Sequence, residues 1–169
     1  MQKIYTIEPI DALKISIQSE REMSMYYQKA VQLPYEDDVR NILVGLGKHA
    51  DEHRQRAIEM YSKFTGKKLL FLNLDKRHKL NTLQRCSDEP NDAMRIAKKN
   101  EKEMADFYGT VCRRFLDAEL RSFFRQLAAE NYQHLALLEA TFVEPLMLNQ
   151  TTSESDMCGS YSEEHQQSH

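Results

Sequence analysis

The chain lacks the features that would place it in several large classes. Its 169 residues include only three cysteines, Cys86, Cys112 and Cys158. They are odd in number, widely spaced and never in a CxxC pair, which argues against a disulfide framework and against a zinc or rubredoxin-type knuckle. A reducing compartment is therefore expected. No apolar stretch approaches the ~20 residues that span a bilayer, and the opening MQKIYTIEPIDALK has neither the basic region nor the apolar run of a secretory signal. A cytoplasmic protein with no membrane partner is expected. Neither sign of charge dominates: 23 Lys and Arg stand against 26 Asp and Glu, a net charge of -3, with acids and bases interspersed. That pattern gives no basic footprint for nucleic acid and no polybasic patch. A small molecule or a metal ion is left as the expected ligand.

What the chain does have is an internal duplication. Asp11 to Tyr27, DALKISIQSEREMSMYY, returns as Asp92 to Tyr108, DAMRIAKKNEKEMADFY, 81 positions on and with seven of seventeen residues identical. The same offset, without a gap, carries Arg40 onto Arg121, Leu46 onto Leu127 and His53 onto His134. Each half reads as a helix bearing a Glu (Glu20, Glu101) followed by a helix bearing a His (His53, His134). Two such halves predict one all-α domain, an antiparallel four-helix bundle over residues 1–148.

The first helix is expected from Ile10, just after Pro9, to about Gln32, stopped by Leu33-Pro34. The second takes Tyr35-Glu36-Asp37-Asp38 at its start, where acids complement the helix dipole, and stops at Thr65-Gly66. Residues 67–90 are too long for a tight turn and suit a crossover running the length of the bundle, with Leu69 to Leu72 covering its side. The third helix begins near Asn91-Asp92 and the fourth runs from about Asp117 to Phe142. From Asn149 the composition shifts to Ser, Thr, Glu, Gln and His, so 149–169 is expected to be a disordered polar tail. Its His165, His169 and Cys158 are assigned no chemistry.

Steps of three and four place Leu13, Ile17, Glu20, Met23 and Tyr27 on one face of the first helix, and Met94, Ala97, Glu101, Met104 and Tyr108 on one face of the third. The second helix reads Ile42, Leu46, His49 or Ala50, His53, Ala57, Met60, Phe64. The fourth reads Phe123, Leu127, Glu130 or Asn131, His134, Leu138. Every inward face thus carries an ionisable group, and an isolated buried carboxylate costs several kcal/mol unless it is paired, protonated or metal-bound. Two Glu and two His placed by symmetry suggest mutual partners. Tyr27 and Tyr108 read either as hydrogen-bond donors to carboxylates or as core aromatics.

At these residues the sequence resembles the ferritin-like superfamily and, more closely, the rubrerythrin-type di-iron proteins, over about residues 8–145. SEREMSMYY and NEKEMADFY are similar to that family's Glu-bearing helices, which implies that Glu20 and Glu101 are terminal iron ligands. The family's other two helices carry Glu-x-x-His, and His53 and His134 match its histidines. The bridging Glu, three residues earlier, is replaced by Ala50 in one helix and Asn131 in the other. This sequence lacks the CxxC pairs with which many of these proteins build a rubredoxin domain, so the resemblance implies that any electron donor protein is external.

Two carboxylates neutralise one divalent ion, not two, so one metal is better matched than a pair. His49 and Glu130, four residues before each His, are the candidates for rebuilding an altered site. The expected metal set is therefore Glu20, His53, Glu101 and His134 with Glu130 and His49, holding iron as one or two ions, or another divalent metal such as zinc or manganese. One expected function is a metal-binding protein that handles peroxide or dioxygen. The other is a metal-free structural or interaction module in which Glu20 pairs with His53 and Glu101 with His134. A homodimer through the apolar crossover is compatible with both.

Overall fold

A computed structural model describes residues 7–69, 80 and 82–144. Four helices make up its regular structure: α1 (Pro9–Ala30), α2 (Asp37–Thr65), α3 (Pro90–Cys112) and α4 (Ala118–Thr141). There is no strand among the described residues. Several helix boundaries have a local cause. Pro9 and Pro90 occupy the first helical position, where a missing N–H costs nothing. The Glu89 carboxylate accepts from the amides of Asn91 and Asp92, and Asp117 accepts from Leu120 N at 2.8 Å, so α3 and α4 are side-chain capped. Gly66, left-handed at φ 68°, ends α2 by returning its N–H to Ser62 O, as Thr65-Gly66 predicts. α1 stops two residues short of Gln32, because Gln32 N and Leu33 N bond to carbonyls three residues back and tighten the last turn.

Short turns join α1 to α2 and α3 to α4, and each helix packs mainly against its hairpin partner. The hairpins then meet through α1 against α3 and α2 against α4, closing an all-α ferritin-like bundle. The predicted stripes form its interior: Leu13, Ile17, Met23, Leu46, Met94, Met104 and Leu127 are almost wholly buried. Each contributes on the order of 1.5–3 kcal/mol by leaving water. One stripe member departs. Phe64 is exposed, because α2 has 29 residues against 22 in α1 and its last turn overhangs the hairpin.

Gly47 sets how closely α1 and α2 approach. A Cβ there would lie 3.2 Å from Tyr27 Cβ, so glycine lets the tyrosine stand directly against the α2 backbone. The end of the crossover is fixed by Asn100, whose buried amide donates to Gln84 O and accepts from Gln84 N, both at 2.9 Å. Leu69, Leu80 and Leu83 pack on the core. Leu70 to Leu72 of the predicted cover lie outside the described residues, as do the tail 149–169 and its His165, His169 and Cys158.

Candidate functional site

Glu20, His53, Glu101 and His134 come together where the hairpins meet. Glu20, His53 and Glu101 are buried at 1–2 % exposure, and the His134 side chain is a little more open at 12 %. The contacts repeat across the duplication. Tyr108 Oη donates to Glu20 Oε1 at 2.7 Å, and Tyr27 Oη donates to Glu101 Oε1 at 2.5 Å. Each tyrosine therefore serves the carboxylate of the other half and ties α1 to α3. Burial, and then the charge of the facing Glu, pushes both phenols well above their ordinary range, so they stay protonated donors.

The imidazoles follow the same symmetry. His53 Nδ1 lies 3.3 Å from Glu20 Oε1, and His134 Nδ1 lies 3.4 Å from Glu101 Oε2. The two rings stack with centroids 5.6 Å apart. Their other nitrogens face outward, and there the symmetry breaks. His53 Nε2 meets Glu130 Oε2 at 2.6 Å, whereas His134 Nε2 meets His49 Nδ1 at 3.1 Å. Positions 49 and 130 are themselves 81 apart, so a Glu and a His occupy equivalent places behind the two imidazoles. Glu130 is further held by Arg56, which donates to its Oε2 at 2.8 Å. The mate of Arg56 in the second half is Leu137.

This asymmetry shifts the proton affinities of His53 and Glu130. Burial opposes a proton on His53, but the hydrogen bonds and charges of Glu20 and then Glu130 outweigh it and raise its pKa. Burial alone would raise Glu130, but the hydrogen bonds from Arg56 and His53 hold it below the ordinary value. Glu20 therefore faces an imidazole whose affinity for a proton is raised, and a tyrosine. Glu101 has its tyrosine on one oxygen, while the other, Oε2, is buried without a hydrogen-bond partner, His134 lying near it but off-angle.

Ala50 and Asn131 face the interior, and His49 and Glu130 lie outside them, His49 exposed and Glu130 partly so. Asn131 turns its amide back to Leu127 O at 2.8 Å, away from any role as a bridge. Among the described residues no group of three or more His, Cys, Asp or Glu has the arrangement of a metal-holding cluster. The donors present therefore do not fit a doubly bridged two-iron centre. Both bridging positions lack carboxylates, and all four ring nitrogens of His53 and His134 already face protein atoms. Arg56 was not anticipated from the sequence. Its signal is weak: it sits one turn after His53 on the same face, but its partner is 74 residues away.

The fold and these paired Glu and His positions define a ferritin-like helical bundle. The family model for rubrerythrin matches residues 11–142, and the chain belongs to the rubrerythrin family. Two solved structures share the fold. A hypothetical protein from Pyrococcus furiosus is 22 % identical with a TM-score of 0.69, the match covering 83 % of this chain and 91 % of that one. A conserved hypothetical protein from Mycobacterium tuberculosis is 17 % identical with a TM-score of 0.63, over 81 % of this chain and 100 % of that one. None of the curated proteins matches. No helix among the described residues is long and apolar enough to cross a membrane.

Proposed function

We propose that this rubrerythrin-family chain has exchanged the family's two-iron centre for a metal-independent hydrogen-bonded network, and that the bundle serves as a structural or interaction module. The observation that carries this reading is the pair of bridging positions, Ala50 and Asn131, together with an Asn131 amide spent on its own helix. In place of metal ions, Tyr108 and His53 satisfy Glu20, Tyr27 satisfies one oxygen of Glu101, and Arg56 closes the chain through Glu130. These hydrogen bonds tie α1 to α3 and α2 to α4 in one register, with Glu101 Oε2 as the member left unsatisfied.

One observation favours a second reading, in which the chain binds a single divalent ion. Glu20 and Glu130 both contact His53, and Glu130 also contacts Arg56, whereas Glu101 is the carboxylate left under-satisfied, its Oε2 buried without a hydrogen-bond partner. Glu101 and His134 would hold that ion, with imidazole and carboxylate suited to iron, manganese or zinc. Iron there would supply redox chemistry toward peroxide, with electrons from an external donor protein.

Elemental analysis of the untagged full chain, purified without chelator beside its Glu101→Gln variant, separates the two. Negligible metal, with a thermal midpoint indifferent to chelator, is the expected result. One ion per chain that Glu101→Gln abolishes would establish the second reading instead. Two irons per chain would overturn both.

A further inference from the structure

On the flank of the bundle, away from the Glu and His network, a half-open cavity of about 660 Å³ lies between α1 and the returning crossover. That volume falls within the roughly 300–1,000 Å³ of ordinary small-molecule sites. Its floor is apolar, formed by Met23 and Tyr26 of α1 with Leu80 and Leu83 opposite. Its wall is built: the Asn100 clamp on Gln84 fixes the end of the crossover, and Leu83 N bonds back to Leu80 O.

The charged lining is mostly basic. Arg21, Lys29 and Arg85 face a single carboxylate, Glu22, in a chain whose overall charge is -3. Lys29 is engaged by Asp88 and by Cys86 O, and Glu22 accepts from Gln18 Nε2. Arg21 and Arg85 have no ion-pair or hydrogen-bond partner among the described residues. Gln18 Oε1, also on the lining, is buried and unpartnered. Two free guanidinium groups over an apolar floor are complementary to a molecule with an anionic head and an apolar body.

We propose that this cavity is a binding site for a small organic anion with an apolar body, of the medium-chain carboxylate or aromatic sulfonate class. The head sits between Arg21 and Arg85, and the body lies on Met23, Tyr26, Leu80 and Leu83. Cys86, a partly buried free thiol on the same lining, would be shielded by an occupant.

The test uses the full chain with 1-anilinonaphthalene-8-sulfonate as the probe. Saturable fluorescence enhancement at one probe per chain is expected, displaced by decanoate and not by decyltrimethylammonium. Arg21→Gln with Arg85→Gln should weaken binding about tenfold, the scale of two partly exposed charge contacts. Both side chains are exposed, so the fold is retained, which circular dichroism checks. In a Cys112→Ser/Cys158→Ser background, saturating decanoate should slow labelling of Cys86 by a thiol reagent several-fold. Absence of saturable binding, equal displacement by the cationic detergent, unchanged affinity in the double arginine variant, or unprotected Cys86 would each overturn the proposal.

Discussion

Tyr27→Phe and Tyr108→Phe are the same substitution as far as the duplication is concerned, since the residues are 81 apart and both are buried at 0–1 % exposure. Each removes one hydroxyl from one buried carboxylate, so apolar burial does not distinguish them. The acceptors do. Glu20 Oε1 loses Tyr108 but keeps His53 Nδ1. Glu101 loses Tyr27 and keeps only the off-angle His134, with Oε2 already unpartnered. Loss of a hydrogen bond to a charged group costs about 1.5–3 kcal/mol, and leaving a buried group unsatisfied adds a further ~1–3 kcal/mol. Tyr108→Phe should therefore cost about 1.5 kcal/mol and Tyr27→Phe about 3 kcal/mol, a difference of roughly tenfold in the unfolding constant. Urea denaturation followed by far-ultraviolet circular dichroism, at neutral pH with chelator present, measures both. Equal costs within about 0.3 kcal/mol, or the reverse order, would refute the account of Glu101 as the under-satisfied member.

Three further outcomes follow from the same contacts. Ala50→Glu with Asn131→Glu restores both Glu-x-x-His motifs in a buried setting; it should lower the thermal midpoint in chelator, raise it on adding ferrous iron, and move bound iron towards two per chain, whereas no gain in iron would mean the helices are not at site-forming distance. Because the pKa of His53 is raised in the folded state, its charged form contributes stability that is fully present below its unfolded value near 6.5 and lost as pH rises through the higher folded value; denaturation midpoints should fall over that window, and Glu130→Gln should flatten the fall. Gly45→Ala meets nothing within 4 Å and should stabilise α2 by up to about 1 kcal/mol, while Gly47→Ala meets Tyr27, which Glu101 holds in place, and should destabilise despite the same gain in helix propensity; denaturant midpoints of the two variants decide it.

Helix number, the long connection and the Gly66 stop were legible because a duplication and a turn signal are properties of local sequence. So was the inward position of Glu20 and Glu101, which share an apolar stripe with residues three and four away. The choice between His49 and Ala50, and between Glu130 and Asn131, was not legible, because neighbours on a helix lie about a hundred degrees apart and only packing against the facing hairpin selects one. The exchange of tyrosines between halves was equally hidden. Spacing places Tyr27 on the Glu20 face of α1, but the hydroxyl reaches across to Glu101 of α3, which only the packing of one hairpin on the other reveals. Asn100 carries no signal of its own in the sequence, and only the path of the crossover gives its amide a purpose. Phe64 failed because stripe periodicity carries no information about where a neighbouring helix ends.

The Glu and His at positions 130 and 49 also say which halves can pair. In a dimer of two first halves, His49 of each copy would stand behind the other's His53, so two imidazoles would face each other at both ends with no carboxylate to balance them. In a dimer of two second halves, Glu130 would stand behind His134 at both ends, with Leu137 in the place of Arg56. Only the mixed pair sets a carboxylate against an imidazole at one end, backed by a guanidinium, and two imidazoles at the other. Self-association of the first half is thereby disfavoured by the same pair of residues that breaks the symmetry of the site, and fusion in one chain keeps the carboxylate-bearing half beside it.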